Sequence, residues 1–144
     1  MSNIETLKSR ILQLLEEKKH KKRVDNELHD TAIELSQLLL ADKFPNRSWI
    51  VATKNQKGID VQGYLGDKLD VACEVTTHNR LEGNRRPQIL KDLRRLQDAK
   101  IQNKFLAIVY PEVLIQLKRM RSQELLRGVE VLDLPILHFE KLSK

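Results

Sequence analysis

Residues 58–77, GIDVQGYLGDKLDVACEVTT, contain two short runs in which apolar and polar residues alternate, separated by Gly66, Asp67 and Lys68. Alternation with a period of two is typical of β-strands, and small polar residues between two such runs are typical of a turn. The stretch therefore predicts a β-hairpin, and this hairpin determines how the rest of the chain is interpreted.

The apolar residues determine the predicted register of the hairpin. Pairing Leu65 with Leu69 places the apolar residues of both runs on one face. The pairs that follow are Val61 with Cys73 and Ile59 with Val75. The same register places Asp60 directly opposite Glu74 on the other face. A loop one residue shorter would mix charge into the apolar face, so the hydrophobic pattern favours the register that opposes the two acids.

A divalent cation is the expected compensation for these opposed carboxylates. Directly opposed like charges destabilise a strand pair by roughly 0.2–1 kcal/mol. Mg²⁺ is usually bound by one or two carboxylates together with waters and phosphates. Asp60 and Glu74 are therefore predicted to bind Mg²⁺, with Mn²⁺ as the alternative ion. The structural alternative is that Asp60 caps a turn and Glu74 forms an ion pair with Lys54 or Arg86.

The composition predicts one domain, spanning residues 1–144, with a polyanionic partner. The chain has 26 Lys and Arg against 20 Asp and Glu, a net charge of +6, which favours nucleic acid first and an anionic membrane surface second. No apolar run approaches the roughly 18 residues that span a bilayer, so we expect a cytoplasmic protein with no membrane segment. The single Cys73 is predicted to pack on the apolar face of the hairpin.

The rest of the chain has the pattern of alternating helices and strands. Helices are predicted over residues 3–18, 25 to about 42, 85–100 and 111 to about 126. Strands are predicted over residues 48–53 and 105–110, with one or two late edge strands in 129–132 and 136–139. The order is α-α-β-β-β-α-β-α-β. Residues 1–22 comprise the first helix and a basic segment, and the narrow apolar stripe of that helix is available to a partner subunit.

This order, together with the two carboxylates, resembles the PD-(D/E)XK nuclease superfamily, which includes many restriction enzymes and Holliday-junction resolvases. Members carry an Asp at the start of the second strand and a Glu-x-Lys motif on the third. Here Asp60 stands in Gly-Ile-Asp and Glu74 in Glu-Val-Thr. Ile59 replaces the frequent Pro, and Thr76 stands at the position of the Lys. The resemblance covers about residues 25–131. It implies an α/β fold with an αβββαβ restriction-endonuclease-like core, a mixed central sheet flanked by helices, and an extra N-terminal helix.

The resemblance also implies a Mg²⁺-dependent DNA endonuclease. Its metal ligands would be Asp60, Glu74 and the backbone carbonyl of Val75, and Thr76 Oγ would orient a water molecule. Glu34 lies on the second helix, where resolvase-like members carry an acidic ligand. An ordinary surface role is the alternative for Glu34.

The missing lysine has two candidate replacements. Lys54 ends the preceding predicted strand, and Lys91 lies on the following predicted helix. Gln88 and Lys91 are one helical turn apart, and they reproduce the Gln-x-x-Lys spacing of Mrr-like members. We favour Lys91. The predicted catalytic residues are therefore Asp60, Glu74, Thr76, Gln88 and Lys91.

Basic residues beside the predicted site are candidates for phosphate contacts. The predicted DNA-binding residues are Lys54, Lys57, His78, Arg80, Arg85, Arg86, Arg94 and Arg95. A solvated helix face is the alternative for the arginines, and His78 is either a proton shuttle or a surface residue. Cutting both strands of a duplex requires two sites, so a homodimer or higher oligomer is predicted. The alternative function is a catalytically degenerate nucleic-acid-binding or assembly module with the same fold.

Overall fold

The computed structural model describes residues 3–20, 22–52, 58–78, 85–119 and 123–142. The described helices are α1 (Asn3–Lys19), α2 (Asp25–Lys43), α3 (Arg85–Asp98), α4 (Pro111–Lys118) and α5 (Gln123–Leu126). The described strands are β1 (Ser48–Val51), β2 (Val61–Leu65), β3 (Lys68–Thr76), β4 (Asn103–Ile108), β5 (Val129–Asp133) and β6 (His138–Lys141). A 3₁₀ turn at Leu134–Ile136 joins β5 to β6.

The described strands form one mixed sheet in the order β1-β2-β3-β4-β5-β6. Strands β1, β2 and β3 are antiparallel neighbours, β3, β4 and β5 run parallel, and β6 is antiparallel to β5. Helix α3 provides the crossover that parallel β3 and β4 require. The predicted α/β class, with a mixed sheet flanked by helices, is confirmed.

Each face of the sheet is covered by its own set of helices. The first apolar cluster joins α1 and α2 to one face, through residues such as Ile11, Leu35 and Cys73. The second joins α3, α4 and α5 to the opposite face, through residues such as Leu93 and Leu106. In the described part of the chain, no helix is long and apolar enough to cross a membrane.

Several predicted boundaries differ from the structure. The segment predicted as one helix after Pro111 contains two helices, because α4 ends at Lys118 and α5 starts at Gln123. The strand predicted over 105–110 is β4, which starts two residues earlier because Asn103 pairs with Val71. The first late strand, β5, is not an edge strand because β6 pairs with its outer side.

The stripe of α1 that was predicted to be available to a partner subunit packs within the chain. Ile11 and Leu14 are fully buried in the first apolar cluster. Ile4, Leu7 and Leu15 are partly buried against the same cluster. The stripe therefore stabilises the contact between α1 and α2, and it gives no support to an oligomer.

The predicted hairpin is confirmed, and its register is correct for the half nearer Asp60. Val61 pairs with Cys73, but beyond Gly63 the register shifts by one residue at a β-bulge. The predicted pair Leu65–Leu69 is therefore wrong, because Leu65 pairs with Lys68 across a two-residue turn. Gly66, with φ of 65°, starts that turn.

The extra residue of the bulge, Asp70, has a structural role of its own. Its Oδ2 accepts hydrogen bonds from Arg47 Nε at 3.0 Å and Nη2 at 2.6 Å. A bulge re-aims a side chain relative to its strand. This ion pair fixes the chain before β1 to the start of β3.

Ile59 lies on the opposite face from the one predicted. Strand β2 begins at Val61, so Ile59 is outside the ladder and does not pair with Val75. It packs against the second apolar cluster, on the side of α3. Gly58 adopts a φ of 124° just before it, a conformation that L side chains rarely adopt.

Cys73 is fully buried, as predicted, and burial raises the pKa of its thiol well above the ordinary value.

Asp133, at the end of β5, is a buried acid that weakens the fold at neutral pH. Its Oδ1 has no hydrogen-bond partner within the described residues. Burial raises the pKa of Asp133, and His138 on the adjacent strand partly opposes that rise. The folded protein therefore holds this proton more tightly than the unfolded chain does. Stability falls as the pH rises from below the unfolded pKa through the folded pKa.

We expect Asp133→Asn to raise the melting temperature at about pH 7 by roughly 2–4 °C, which corresponds to about 1 kcal/mol in a chain of this length. At about pH 3, where both states hold the proton, we expect little change. Thermal unfolding followed by circular dichroism at the two pH values measures the difference. A melting temperature that is lowered equally at both pH values would contradict the destabilising effect assigned to Asp133 at neutral pH.

Candidate functional site

The structure brings Asp60 and Glu74 together where the β2–β3 ladder ends. The backbone N–H of Asp60 donates to Glu74 Oε1 at 3.0 Å, and the backbone N–H of Val75 donates to Asp60 Oδ2 at 2.8 Å. The last described pair of the ladder is Val61 with Cys73. Each carboxylate thus accepts from a backbone N–H of the other strand segment, so the two side chains are fixed by the end of the hairpin.

Helix α3 positions Arg95 directly over Glu74. Its Nη1 donates to Glu74 Oε2 at 2.8 Å and to the carbonyl oxygen of Gly58 at 3.0 Å. The side chain of Glu74 is 1% exposed and that of Arg95 is 40% exposed. Arg95 therefore lies on the solvent side of the buried acid. It was predicted to contact DNA, whereas in the structure it is the counter-ion of Glu74.

A third acid, Asp92, comes from the same helix and was not predicted. Its Oδ1 lies 3.8 Å from Arg95 Nη1 and accepts a hydrogen bond from Gln88 Nε2 at 3.2 Å. Residues at steps of three and four share a helix face. Gln88, Asp92 and Arg95 have these spacings, and they border the buried stripe formed by Ile89 and Leu93. That pattern was the available sequence signal for Asp92.

Helix α2 provides the facing wall, and its contribution was also not predicted. His29 Nε2 lies 4.0 Å from Asp60 Oδ2. Asp25, Asn26 and Asp30 belong to the same first two turns and also line the cavity. The polar start of a helix thus faces the acid pair from the side opposite α3.

The cavity between α2, α3 and the open end of the hairpin has a volume of about 820 Å³. The end of β3 lines it through Val75, Thr76, Thr77 and His78. Of the described residues, Asp60 belongs to the wall and Glu74 does not, because Arg95 lies between Glu74 and the cavity.

Thr76 marks a polar position in this wall that lacks a partner. The residue is 4% exposed, and its Oγ1 has no hydrogen-bond partner in the described part of the chain. An unsatisfied buried hydroxyl costs about 1–3 kcal/mol. A water molecule or ligand atom in the cavity would remove that cost.

Burial raises the pKa values of all three acids of the site. Burial is the main cause that raises the pKa of Glu74 to about 8, followed by the charges of Asp60 and Asp92. Burial, followed by Asp60, raises the pKa of Asp92 to about 6. Burial also raises the pKa of Asp60, while a hydrogen bond from the Val75 N–H lowers it. Arg95 lowers all three pKa values without offsetting these effects.

The structure does not bring Lys91 into the site. Gln88 lines the cavity, but Lys91 is exposed and is not part of the described wall. The buried stripe of α3 faces the sheet, and at about 100° per residue Lys91 lies on nearly the opposite side of the helix. The predicted projection of Gln88 and Lys91 toward one point is therefore wrong. Arg95 is the α3 cation that reaches the acids.

The other predicted residues divide into three groups. Glu34 is exposed and lies outside the described wall, because α2 turns His29 and Asp30 toward the cavity instead. Arg94 is also exposed and outside the described wall, whereas His78 is part of it. Lys54, Lys57 and Arg80 lie outside the described residues, as do the side chains of Arg85 and Arg86.

The side chains of the site are of the kinds that bind a hard divalent cation, although the described ones do not form a complete set of ligands. No three acid, imidazole or thiol side chains in the described part of the chain are arranged to hold a metal ion. The adjacent carboxylates Asp60 and Glu74 are the type and number that Mg²⁺ uses. A cation at this place would favour the ionised forms of the two acids, whose pKa values burial raises.

Comparisons with known protein families, curated proteins and solved structures find no match for the chain. The likeness to the PD-(D/E)XK superfamily therefore depends on the order of the elements and on the residues at the end of the hairpin. The function has to be argued from the chemistry of the site itself.

Proposed function

We propose that the protein is a Mg²⁺-dependent DNA endonuclease with a PD-(D/E)XK core, with Mn²⁺ as an alternative ion. The observation that carries the proposal is the pair Asp60 and Glu74. The two acids are joined by reciprocal backbone hydrogen bonds where the hairpin opens toward the cavity. Burial is the main cause that raises the pKa values of both acids, and a bound cation would favour their ionised forms.

The order of the elements supports the same proposal. Helix α2 precedes three antiparallel strands, and α3 leads into β4, which runs parallel to β3. An αβββαβ core of the superfamily has this order. Asp60 directly precedes the second strand and Glu74 lies on the third, the strands that carry the acids of the family motif.

The proposed reaction is hydrolysis of a phosphodiester bond. It requires a nucleophile made from water and stabilisation of the negative charge that develops on the phosphoryl group. A bound Mg²⁺ supplies both. Asp60, Glu74 and the carbonyl of Val75 would hold the ion, and Thr76 Oγ1 can orient a water molecule. Lys91 is exposed outside the described wall, and Arg95 is the α3 cation that contacts the acids. His29 and His78 border the cavity as candidate proton carriers.

Cleavage of supercoiled plasmid DNA is the direct test. We expect the protein to convert the plasmid to nicked and linear forms in Mg²⁺ or Mn²⁺, and to do nothing in EDTA. Gel electrophoresis over a range of protein concentrations measures the conversion. A preparation that binds Mn²⁺ yet leaves plasmid, linear duplex and branched DNA intact would contradict the proposal.

The second candidate is a catalytically degenerate nucleic-acid-binding or assembly module. The observation that favours it is the ion pair between Arg95 and Glu74, together with Thr76 in place of the lysine. Such a module would bind DNA without cutting it and would not need a metal. The proposed homodimer or higher oligomer follows only from the need to cut both strands of a duplex.

A further inference from the structure

We propose that Arg95 is an internal counter-ion of the acid cluster and that a divalent cation has to displace it from Glu74 in order to bind. The inference rests on the proposed function, because it concerns the metal site of the proposed nuclease. It assigns to Arg95 control over metal affinity, a role distinct from a contact with DNA.

The contacts of Arg95 resemble those of a bound cation. A single nitrogen, Nη1, lies 2.8 Å from Glu74 Oε2, 3.0 Å from the Gly58 carbonyl oxygen and 3.8 Å from Asp92 Oδ1. These oxygens come from β3, the segment before β2 and α3. One positive charge therefore joins three parts of the chain through oxygen atoms, the donor type that a hard cation prefers.

Arg95 also occupies the Oε2 side of Glu74, whereas Oε1 accepts from the Asp60 N–H. Asp60 lines the cavity, whereas Glu74 lies behind the guanidinium and is 1% exposed. A metal ion that enters from the cavity meets Asp60 first and reaches Glu74 only if Arg95 moves. The side chain of Arg95 is 40% exposed, so it can turn toward solvent without unfolding α3.

Thr76 is a second polar residue on this side of the cavity wall. Thr76 Oγ1 is buried in the cavity wall without a hydrogen-bond partner in the described chain. Thr76 lies two residues after Glu74, so both side chains point to the same face of β3. Displacing Arg95 would place an incoming cation and its water beside this hydroxyl.

Removing the charge of Arg95 should therefore tighten metal binding. The metal no longer has to break the ion pair with Glu74, so we expect the dissociation constant for Mn²⁺ to fall about tenfold in Arg95→Met. The methionine retains most of the apolar stem. Arg95→Gln, which removes the charge but keeps a shorter polar side chain, should give the same gain.

Isothermal titration calorimetry of the full chain with Mn²⁺ tests the proposal without reference to activity. Arg94→Met is the matched control: it removes an exposed charge from the same helix one residue away, and we expect less than a twofold change. Adding Glu74→Gln to Arg95→Met should remove the gain. A second readout is the melting temperature, which Arg95→Met should lower without metal and Mn²⁺ should restore.

The outcomes separate this inference from the proposed function. If wild type binds Mn²⁺ and both Arg95 variants bind it equally or more weakly, Arg95 is not a competitor and the nuclease proposal is unaffected. Binding that appears only in the Arg95 variants supports displacement in its strongest form. If neither wild type nor a folded Arg95 variant binds Mn²⁺, both proposals are wrong.

Discussion

Asp60→Asn and Glu74→Gln should each lower the rate of plasmid cleavage by at least about 100-fold, because each removes a carboxylate from the proposed metal ligands. The isosteric amides are better tests than alanine. An amide oxygen still accepts from the Val75 N–H or the Asp60 N–H, so the end of the hairpin keeps its hydrogen bonds. Alanine would leave a partly buried N–H without a partner and confuse loss of chemistry with loss of structure.

The controls for these variants are thermal stability and metal binding. We expect melting temperatures within a few degrees of wild type without metal, because each amide keeps the backbone hydrogen bond and avoids the cost of burying an ionised acid. Calorimetry with Mn²⁺ should show weakened binding in both. Cleavage at a near-normal rate by either folded variant would sink the assignment of Asp60 and Glu74 as metal ligands.

The sequence was sufficient to predict the local pairing that creates the site. Alternation with a period of two placed Val61 opposite Cys73, and the structure has that pair. The register error at Leu65 arose because the alternating pattern does not show the bulge at Asp70, whose side chain bonds to the distant Arg47. Ile59 was misplaced because the pattern does not show where a ladder ends. In both cases the alternation of apolar and polar residues extends further along the sequence than the regular pairing of the ladder does.

The contributions of the helices were predicted less well, for a physical reason. A helix presents residues to a site according to how it rotates about its axis, and apolar packing sets that rotation. For α3 the buried stripe containing Leu93 turns Asp92 and Arg95 toward the acids and leaves Lys91 in solvent. Spacing alone predicted that Gln88 and Lys91 share one face of the helix. Spacing considered together with the stripe would have favoured Asp92, which lies next to the stripe, over Lys91. His29 had no comparable signal, since its contact with Asp60 depends on how α2 lies across the sheet.

Affinity for duplex DNA should fall about 1,000-fold between roughly 50 and 200 mM salt if six phosphates are neutralised, because each contact releases a condensed counterion. The net charge of +6 supplies the attraction. Lys91 and Arg94 are exposed on α3, the helix that borders the acid cavity, so they are suited to phosphate contacts beside the site. Fluorescence anisotropy of a labelled duplex, with wild type in EDTA and Glu74→Gln in Mg²⁺, measures the slope without cleavage.

Two charge variants show whether the salt dependence of DNA affinity arises from phosphate contacts near the site. Arg94→Gln should weaken binding to every duplex sequence to a similar extent and reduce the magnitude of the log–log slope by about one. Lys118→Gln is the matched control, since Lys118 pairs with Glu140 at 2.9 Å and is not part of the described cavity wall. It should leave the slope unchanged.

The acid cavity repels phosphates until a cation enters, so Mg²⁺ should also strengthen binding at a given ionic strength. Binding that is undetectable or independent of salt would instead support a module that contacts other proteins.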